Sequence, residues 1–369
     1  MTSIFDEVLS FIRSPDPDRF ENLALKVFRY QFDHIMPYRE YCLSIGMDAE
    51  AVRSLDEIPP LSTVAFKHAE LKSGPTERIF LTSGTSVGAN QRGRHFVPRL
   101  EIYRASAIAH ISRMLFPDRR RMPILAIHPT AERMPESSLG QMISWCIEDF
   151  GAETSVCAAT SQGLEINRAR EFLEAAERAR EPVCILGTTA ACSVLFDVLR
   201  SDARPIRLPA GSRLMDTGGA KGQVDPLDAA AVTEMAARWL GIEPALVINE
   251  YGMTEMCSQF YDATRFNSAF DAQPGERLKI GPPWLRATAR DPVTLAPVEE
   301  GRLGVLSYFD LANVGSVSAL LTEDLGTVER GGIRIIGRTP ASEARGCALG
   351  ITQFQTHNDR PARAAVERR

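Results

Sequence analysis

The stretch NEYGMTE, residues 249–255, follows the short apolar run ALVI, residues 245–248. An apolar run of this length that ends in polar residues is typical of a buried strand followed by a loop. In such a loop the ring of Tyr251 can stack on a flat ligand, the hydroxyl of Thr254 can bind a phosphate oxygen, and the carboxylate of Glu255 can bind magnesium. The alternative is a simple turn at the end of a strand, with Glu255 in solvent.

The same order of strand, polar loop and helix recurs on the N-terminal side of this stretch. The apolar runs predict strands at residues 123–127, 182–186 and 213–215, and helices over residues 139–146, 171–180, 190–199 and 228–240. Successive strand–helix units predict an α/β fold with a largely parallel sheet, in which ligands bind at the carboxyl ends of the strands. The polar and glycine-rich clusters fall at those ends, so we expect the functional site there.

The two ends of the chain have different patterns. Apolar residues at helical spacing predict two helices near the N-terminus, over residues 5–12 and 20–28. After residue 301 the sequence predicts short strands at residues 304–309, 318–321 and 332–336, separated by turns. These strands indicate a small β-subdomain.

Composition excludes several classes of protein. The chain has 369 residues, of which 44% are hydrophobic and 24% charged, with a net charge of −5. These values are ordinary for a globular protein and exclude disordered, collagen-like and disulfide-scaffold proteins. The length favours one large subdivided domain or a large domain with a small one. The slightly acidic balance gives no basic surface for nucleic acid, so no nucleic-acid partner is expected.

Localisation is predicted from the cysteines and from the absence of targeting signals. The seven cysteines are scattered and contain no CxxC pair, which indicates reduced thiols in the cytoplasm. The acidic start of the chain lacks the pattern of a secretion signal. No apolar stretch reaches the roughly 18 to 20 residues needed to span a bilayer, so no membrane insertion is expected.

Three further motifs suit nucleotide chemistry, although each has a simpler interpretation. The loop TSGTSVG, residues 82–88, follows the strand-like run at residues 78–81 and offers backbone N–H groups and hydroxyls to a polyphosphate. It lacks the spacing of a Walker motif, and alone it can be an ordinary turn. The segment TEDLG, residues 322–326, can bind two ribose hydroxyls or form a β-turn. Gly337-Arg338 can be a turn with an exposed arginine.

Taken in order, these pieces resemble the adenylate-forming, or acyl-activating, enzyme superfamily over about residues 78–347. The resemblance implies an adenylation domain with mostly parallel sheets flanked by helices, a small β-subdomain and a strongly truncated C-terminal domain. The adenylation domain would comprise residues 1–337, and the C-terminal segment, residues 338–369, would carry Cys347. ATP and Mg²⁺ are the implied cofactors, and a carboxylic acid is the implied substrate.

The matching motifs imply the residues of the site. Those expected to bind the nucleotide are Thr82, Ser83, Gly84, Thr85, Ser86, Gly218, Gly219, Tyr251, Gly252, Thr254, Asp324 and Arg338. Glu255 is implied as a catalytic residue and as the magnesium ligand.

Within this superfamily the chain is similar to the acyl-protein synthetase branch, the fatty-acid-activating component of bacterial bioluminescence reductases. The similarity rests on PESSL at residues 135–139, TGGAK at residues 217–221 and RGCAL at residues 345–349. In that branch a cysteine near the C-terminus accepts the acyl group from the adenylate, and Cys347 matches it. Arg345 places a cation two residues away, which favours the thiolate. The resemblance also implies an acyl reductase, or another acyl-accepting protein, as partner.

The chain departs from the superfamily at two lysines. The phosphate loop lacks its usual lysine, and we expect Gln91, Arg92 or Arg94 to substitute for it. The residues after Arg338 are too few for the domain that carries the adenylation lysine, so Lys221, our third catalytic candidate, or a partner protein is expected to act instead.

The sequence leaves two other functions open. One is a ligase that transfers the acyl group to coenzyme A or another small acceptor, which the short C-terminus disfavours. The other is a nucleotide-binding module without catalysis, which the retained Glu255, Asp324 and Arg338 disfavour. Cys257, two residues after Glu255, is a rival nucleophile that we expect to pack behind the site.

Overall fold

The computed structural model describes residues 2–82, 92–118, 121–218, 228–264 and 277–338. Its helices are α1 (Ile4–Arg13), α2 (Pro17–His34), α3 (Met36–Ser44), α4 (Leu100–Leu115), α5 (Ser138–Phe150), α6 (Ile166–Ala179), α7 (Thr189–Ser201) and α8 (Ala229–Leu240). Its strands are β1 (Leu61–Ser62), β2 (Arg78–Leu81), β3 (Arg94–Val97), β4 (Ile124–Ala126), β5 (Val156–Cys157), β6 (Ala159–Thr160), β7 (Gly163–Leu164), β8 (Cys184–Thr188), β9 (Arg213–Thr217), β10 (Val247–Tyr251), β11 (Phe260–Asp262), β12 (Lys279–Ile280), β13 (Leu285–Arg290), β14 (Gly304–Asp310), β15 (Ala319–Glu329) and β16 (Gly332–Arg338).

The predicted strand–helix units form the parallel part of one large sheet. Strands β5, β4, β8, β9 and β10 lie side by side in that order and all run parallel. Helices cover both faces. Along β8, Ile185 packs into the core that contains α6, α7 and α8, whereas Cys184 and Leu186 pack into the core shared with α1, α2, α4 and α5. Burial on both faces explains why these strands are continuous apolar runs.

The predicted strands near the C-terminal end form the antiparallel part of the same sheet. From β10 the order continues through β11, β12, β16, β15, β14 and β13, and each of these pairs is antiparallel. The three strands expected after residue 301 are confirmed as β14, β15 and β16. Strand β10, which carries Tyr251, therefore lies at the boundary between the two parts.

The N-terminal helices pack against the β-rich part. Helix α1 begins at the cap residue Ser3, and α2 begins at the cap residue Asp16 followed by Pro17 in the first turn. Gln31 of α2 is buried, and its amide donates to the carbonyl of Asn313 and to the hydroxyl of Ser318. The two predicted N-terminal helices are confirmed, and this contact fixes one of them to the C-terminal strands.

Residues 339–369, including Cys347, lie outside the part of the chain that the structure describes. The division between an adenylation domain and a C-terminal segment at residue 337 therefore stays a prediction. No helix in the described ranges has the length and apolarity that a bilayer crossing requires.

Candidate active site

Three expected site residues from three strands form one hydrogen-bonded chain. The hydroxyl of Tyr251, at the end of β10, donates to Oδ2 of Asp324 over 2.6 Å. Oδ1 of the same carboxylate accepts from Nε of Arg338 over 2.8 Å, and Arg338 is the last residue of β16. The side chain of Asp324 is 7% exposed and that of Arg338 is 53% exposed. The chain thus runs from the interior of the protein to its surface.

Asp324 lies within a strand, so the interpretation of TEDLG as a β-turn is wrong. It belongs to β15 and is the direct partner of Arg338 in β16. The register shifts between Leu325 and Gly326, and this irregularity re-aims the strand next to the site. A Cβ atom at Gly326 would lie 2.1 Å from the carbonyl oxygen of Arg334, which explains why glycine occupies this position.

Two buried side chains hold the backbone of the turn that follows Tyr251. Nδ1 of His95, in β3, donates to the carbonyl of Thr254 over 2.7 Å. The amide of Asn313 donates to the carbonyl of Glu255 over 2.7 Å. Burial lowers the pKa of His95 to about 4, so the ring is neutral. The magnesium ligand predicted from the sequence therefore lies on backbone fixed from two sides.

Asp310 organises the residues after Glu255. Its carboxylate accepts from the backbone N–H of Cys257 over 3.0 Å and from the hydroxyl of Ser258 over 2.6 Å. Burial raises the pKa of Asp310 to about 6, although these hydrogen bonds oppose the shift. Burial, and the nearby charge of Asp310, raise the pKa of the Cys257 thiol well above its usual value. Cys257 packs behind the site, as expected, and is not a suitable nucleophile.

A second layer of buried polar groups lies beneath the ends of β9 and β10. Glu250 accepts a hydrogen bond from Thr217, its neighbour in the sheet. Burial raises the pKa of Glu250 to about 7. A Cβ atom at Gly252 would lie 2.5 Å from a carboxylate oxygen of Glu250, so Gly252 lets the turn pass over this side chain.

The same layer reaches the glycine-rich segment after β9. The hydroxyl of Thr189 lies 2.7 Å from Oδ2 of Asp216 and 2.8 Å from the carbonyl oxygen of Gly218. Gly218 has a φ of +89°, which favours glycine. Burial raises the pKa of Asp216. Thr189 thereby ties the start of α7 to the backbone of Gly218.

Lys279 connects this layer to the antiparallel strands. Its ammonium donates to the side-chain oxygen of Asn249 over 2.7 Å and to Asp262 over 2.8 Å. Arg277 also pairs with Asp262. Asn249 is thus fixed two residues before Tyr251, and a buried lysine has its charge matched by a carboxylate.

The base of the phosphate loop is closed by pairing between its two ends. The backbone N–H of Thr82 donates to the carbonyl of Gly93, and the N–H of Gly93 donates to the hydroxyl of Thr82. Arg92 donates to the carbonyls of Thr82 and Leu81 over 2.6 and 3.3 Å. Arg94 pairs with Glu70 at 3.5 Å. Both arginines considered as substitutes for the missing lysine therefore have protein partners: Arg92 binds backbone at the base of the loop, and Arg94 binds a carboxylate.

The expected site residues fall into two groups. The structure brings together Tyr251, Gly252, Thr254, Glu255, Asp324 and Arg338, and it describes Thr82 and Gly218 at the ends of β2 and β9. Ser83, Gly84, Thr85, Ser86, Gly219, Lys221 and Cys347 lie outside the described residues, as does Gln91, the third candidate for the missing lysine.

Sequence reasoning missed the residues that support the site from behind. They are Thr189, Asp216, Thr217, Asn249, Glu250, Asp262, Arg277, Lys279, His95, Asp310 and Asn313. One signal was available for some of them: polar residues occupy the last positions of apolar strands that end at the expected site.

The donor set near Glu255 can be tested against a magnesium ion. No group of three or more His, Cys, Asp or Glu side chains that could hold a metal occurs among residues the structure describes. Mg²⁺ is commonly bound by one or two carboxylates together with substrate phosphates. A single carboxylate on backbone that is bonded to β3, the strand that follows the proposed phosphate loop in the sequence, fits that mode of binding.

Comparisons with known proteins identify the family to which the chain is similar. A family model described as "Acyl-protein synthetase, LuxE" matches residues 11–356. A relative from Aliivibrio fischeri, called long-chain-fatty-acid–luciferin-component ligase, is 23% identical over 374 residues, covering 95% of this chain and 94% of its own. A relative of the same name from Vibrio harveyi is 23% identical over 352 residues, covering 91% and 88%.

A solved structure shares the fold. The crystal structure of 2-hydroxyisobutyryl-CoA ligase in complex with 2-HIB-AMP superimposes with a TM-score of 0.62 at 16% identity, covering 88% of this chain and 69% of that one. The predicted α/β fold of an adenylate-forming enzyme is thereby confirmed.

Proposed function

This chain belongs to the LuxE acyl-protein synthetase family, and from that membership we propose that it activates a long-chain fatty acid with ATP and transfers the acyl group to Cys347. The family confirms the resemblance found in the sequence, and with it a ligase that activates an acyl group and transfers it to a protein. Two relatives named as ligases of long-chain fatty acids support the choice of acid.

The observation that carries the proposal is the chain from Tyr251 through Asp324 to Arg338. A carboxylate has about four lone-pair sites, and Asp324 uses one for each of its two side-chain partners among the described residues. Acceptor capacity for two ribose hydroxyls therefore remains. Tyr251 lies at the side of this carboxylate and offers its ring to the adenine.

In the first reaction, a carboxylate oxygen of the fatty acid attacks the α-phosphorus of ATP. The bond from that phosphorus to the bridging oxygen breaks, and pyrophosphate leaves with the electron pair. The protein positions the reactants and neutralises charge rather than forming a bond to phosphorus. The N–H groups and hydroxyls of residues 82–86, and Gly218 with Gly219, would bind the nucleotide, and Lys221 would replace the absent catalytic lysine.

Glu255 would hold Mg²⁺, which neutralises phosphate charge when it is bound. The contribution of this chain is to keep the Glu255 carboxylate in place, since His95 and Asn313 fix the backbone on either side of its peptide.

In the second reaction, the Cys347 thiolate attacks the acyl carbonyl, and AMP leaves with the electrons of the carbon–oxygen bond. Arg338 contacts Asp324, the residue proposed to bind the ribose. The nine residues from Arg338 to Cys347 span at most about 30 Å when fully extended. The thiol can therefore reach the adenylate while the segment remains attached to β16. An acyl reductase or another acyl-accepting protein would then take the acyl group from Cys347.

The cysteines support the proposal that the enzyme works in the cytoplasm. The six cysteines in the described part of the chain are all free thiols. A reducing compartment keeps such thiols, and the proposed acceptor thiol, available.

The test is to incubate the protein with ATP, magnesium and a panel of fatty and aryl acids, and to record its intact mass. We expect an adduct of acyl mass that neutral hydroxylamine releases. Cys347→Ala should lose the adduct and keep acid-dependent pyrophosphate exchange. Cys157→Ala, which changes a half-buried thiol, should keep both.

Two results would contradict the proposal. AMP production without an adduct, together with a thioester on added coenzyme A, would identify a small acceptor. ATP binding without turnover of any acid would identify a nucleotide-binding module. The family assignment favours neither result.

A further inference from the structure

A large cavity lies between α4 and the antiparallel strands, outside the residues assigned to adenylation. Its volume is about 920 Å³. The walls are the C-terminal half of α4, the segment that links β12 to β13, and the hairpin of β15 and β16. Small-molecule sites commonly occupy about 300 to 1,000 Å³, so this cavity has the size of a ligand site.

Along the sheet, the cavity is separated from the hydrogen-bonded residues Tyr251, Asp324 and Arg338. Gly332 lines the cavity at one end of β16, whereas Arg338 lies at the other end of the same strand. Six residues of strand correspond to about 20 Å. Phe260 lines the inner end of the cavity and packs against Tyr251 with its ring centroid at 6.1 Å. One aromatic ring therefore divides the cavity from the proposed nucleotide site.

The lining is apolar over most of its surface and carries cations but no acids. Apolar side chains include Met114, Phe116 and Leu285, and the two charged residues are Arg113 and Arg286. None of the lining residues in the described part of the chain is Asp or Glu. The guanidinium of Arg286 lies over the ring of Phe20 and donates to the carbonyl of Pro283, whereas Arg113 is exposed at the edge of the cavity. A cation at the edge of an apolar space favours an anion with an apolar body.

His110 is a buried polar residue of the lining. Its ring lines the cavity and is 3% exposed. Nε2 donates to the carbonyl of Ile280 over 3.0 Å, so Nδ1 is an acceptor, and this atom is buried without a hydrogen-bond partner among the described residues. Burial lowers the pKa of His110 to about 4, which keeps the ring neutral. Nδ1 is not accessible from the cavity, and an ionised carboxylate has no proton to donate to it, so His110 does not bind the head group of an anion.

We propose that this cavity is a second binding site, separate from the adenylation site, for a long-chain anionic amphiphile, namely a free fatty acid. The apolar walls bind the acyl chain, and Arg113 attracts the carboxylate at the opening. The choice of a fatty acid as the occupant rests on the proposed function. The existence of a site for an apolar anion rests on the lining residues alone.

The test is equilibrium dialysis of radiolabelled tetradecanoate against the full-length protein without ATP. A non-reactive tetradecanoyl sulfamoyl adenosine is added in excess to block the adenylation site. We expect one equivalent of tetradecanoate to remain bound per chain. Each added pair of CH₂ groups in the fatty acid should tighten this binding about tenfold.

Two variants and one control test whether the tetradecanoate that remains bound lies in the cavity. Ala287→Phe fills the cavity from β13 and should abolish this binding. Arg113→Gln, on the exposed side of α4, should weaken it about threefold. Arg178→Gln, which removes an exposed arginine of α6, should change nothing. All three should retain fatty-acid-dependent pyrophosphate exchange in the presence of saturating substrate.

The outcomes separate this proposal from the preceding one. Absence of the remaining equivalent, or binding that Ala287→Phe and Arg113→Gln leave unchanged, would overturn the second site. Loss of pyrophosphate exchange together with binding in Ala287→Phe would show that the cavity belongs to the adenylation site, which also overturns it. If the two variants weaken tetradecanoate binding as expected but the protein adenylates no fatty acid, the proposed function is refuted and the cavity site stands.

Discussion

Replacing Asp324 with Asn tests the ribose assignment most directly. The amide keeps the size of the carboxylate but has one acceptor oxygen and no charge. A hydrogen bond to a charged group contributes about 1.5 to 3 kcal/mol, and the substitution removes at least one such bond to the ribose. We expect a loss of about 2 to 3 kcal/mol in transition-state binding. This corresponds to a decrease of about 30- to 150-fold in kcat/KM for ATP.

The same substitution should have a much smaller effect on folding. The Arg338 side chain is 53% exposed, so its pair with Asp324 contributes at most about 1 kcal/mol. The hydroxyl of Tyr251 can still donate to the amide oxygen. The free energy of unfolding in urea should therefore fall by about 1 kcal/mol while activity falls far more.

The assay is pyrophosphate exchange as a function of ATP concentration, with urea unfolding measured on the same samples. Asp197→Asn is the matched control, since it removes a carboxylate from an exposed ion pair with Arg200 on α7. It should change neither quantity. A folded Asp324→Asn variant whose kcat/KM for ATP lies within threefold of the wild type would refute the ribose assignment.

Three further substitutions test the supporting residues. Arg92→Ala removes two hydrogen bonds from the base of the phosphate loop, so we expect a higher KM for ATP in pyrophosphate exchange; an unchanged KM would mean that the loop does not need this residue. His95→Phe keeps a buried ring but leaves the partly buried carbonyl of Thr254 without its donor. It should cost about 1 to 3 kcal/mol in urea unfolding and lower kcat; unchanged stability would contradict the anchoring role. The pKa of Glu250 is raised by burial to about 7, so the folded state holds a proton that the unfolded state releases above about pH 4.5. The stabilising contribution of the protonated side chain is therefore complete below pH 4.5 and is lost as the pH rises through 7. Measured as the free energy of unfolding, Glu250→Gln should be destabilising or neutral at pH 5 and relatively stabilising at pH 8. A difference from the wild type that does not vary with pH would refute this.

Local sequence patterns predicted β4, β8, β9 and β10, because each contains an apolar run that is buried on both faces. The two-residue edge strand β5, whose residues are only half-buried, was missed. The same reasoning missed α4, whose inward side carries Ser106 and His110. These side chains are buried only because they bond to partners distant in sequence, Ser258 and Ile280 among them. No pattern within the helix contains that information.

Strands β11 and β12 were missed for a related reason. They are three and two residues long, and they bury Asp262 and Lys279, which pair with each other. A buried charge looks like a surface residue until its partner is known. Motif order, by contrast, grouped Tyr251, Asp324 and Arg338, which the structure joins by hydrogen bonds although β11 and β12 lie between β10 and β16 in the sheet.

The bond between Gln31 and Ser318 joins residues 287 positions apart in the chain. At a synthesis rate of about 5 to 20 residues per second, Ser318 is synthesised about 15 to 60 seconds after Gln31. The buried face of this helix, with Phe20, Val27 and Phe28, is exposed throughout the delay. We expect the nascent N-terminal third to need protection from aggregation, and a chain released before β15 to be a substrate for chaperones or proteases.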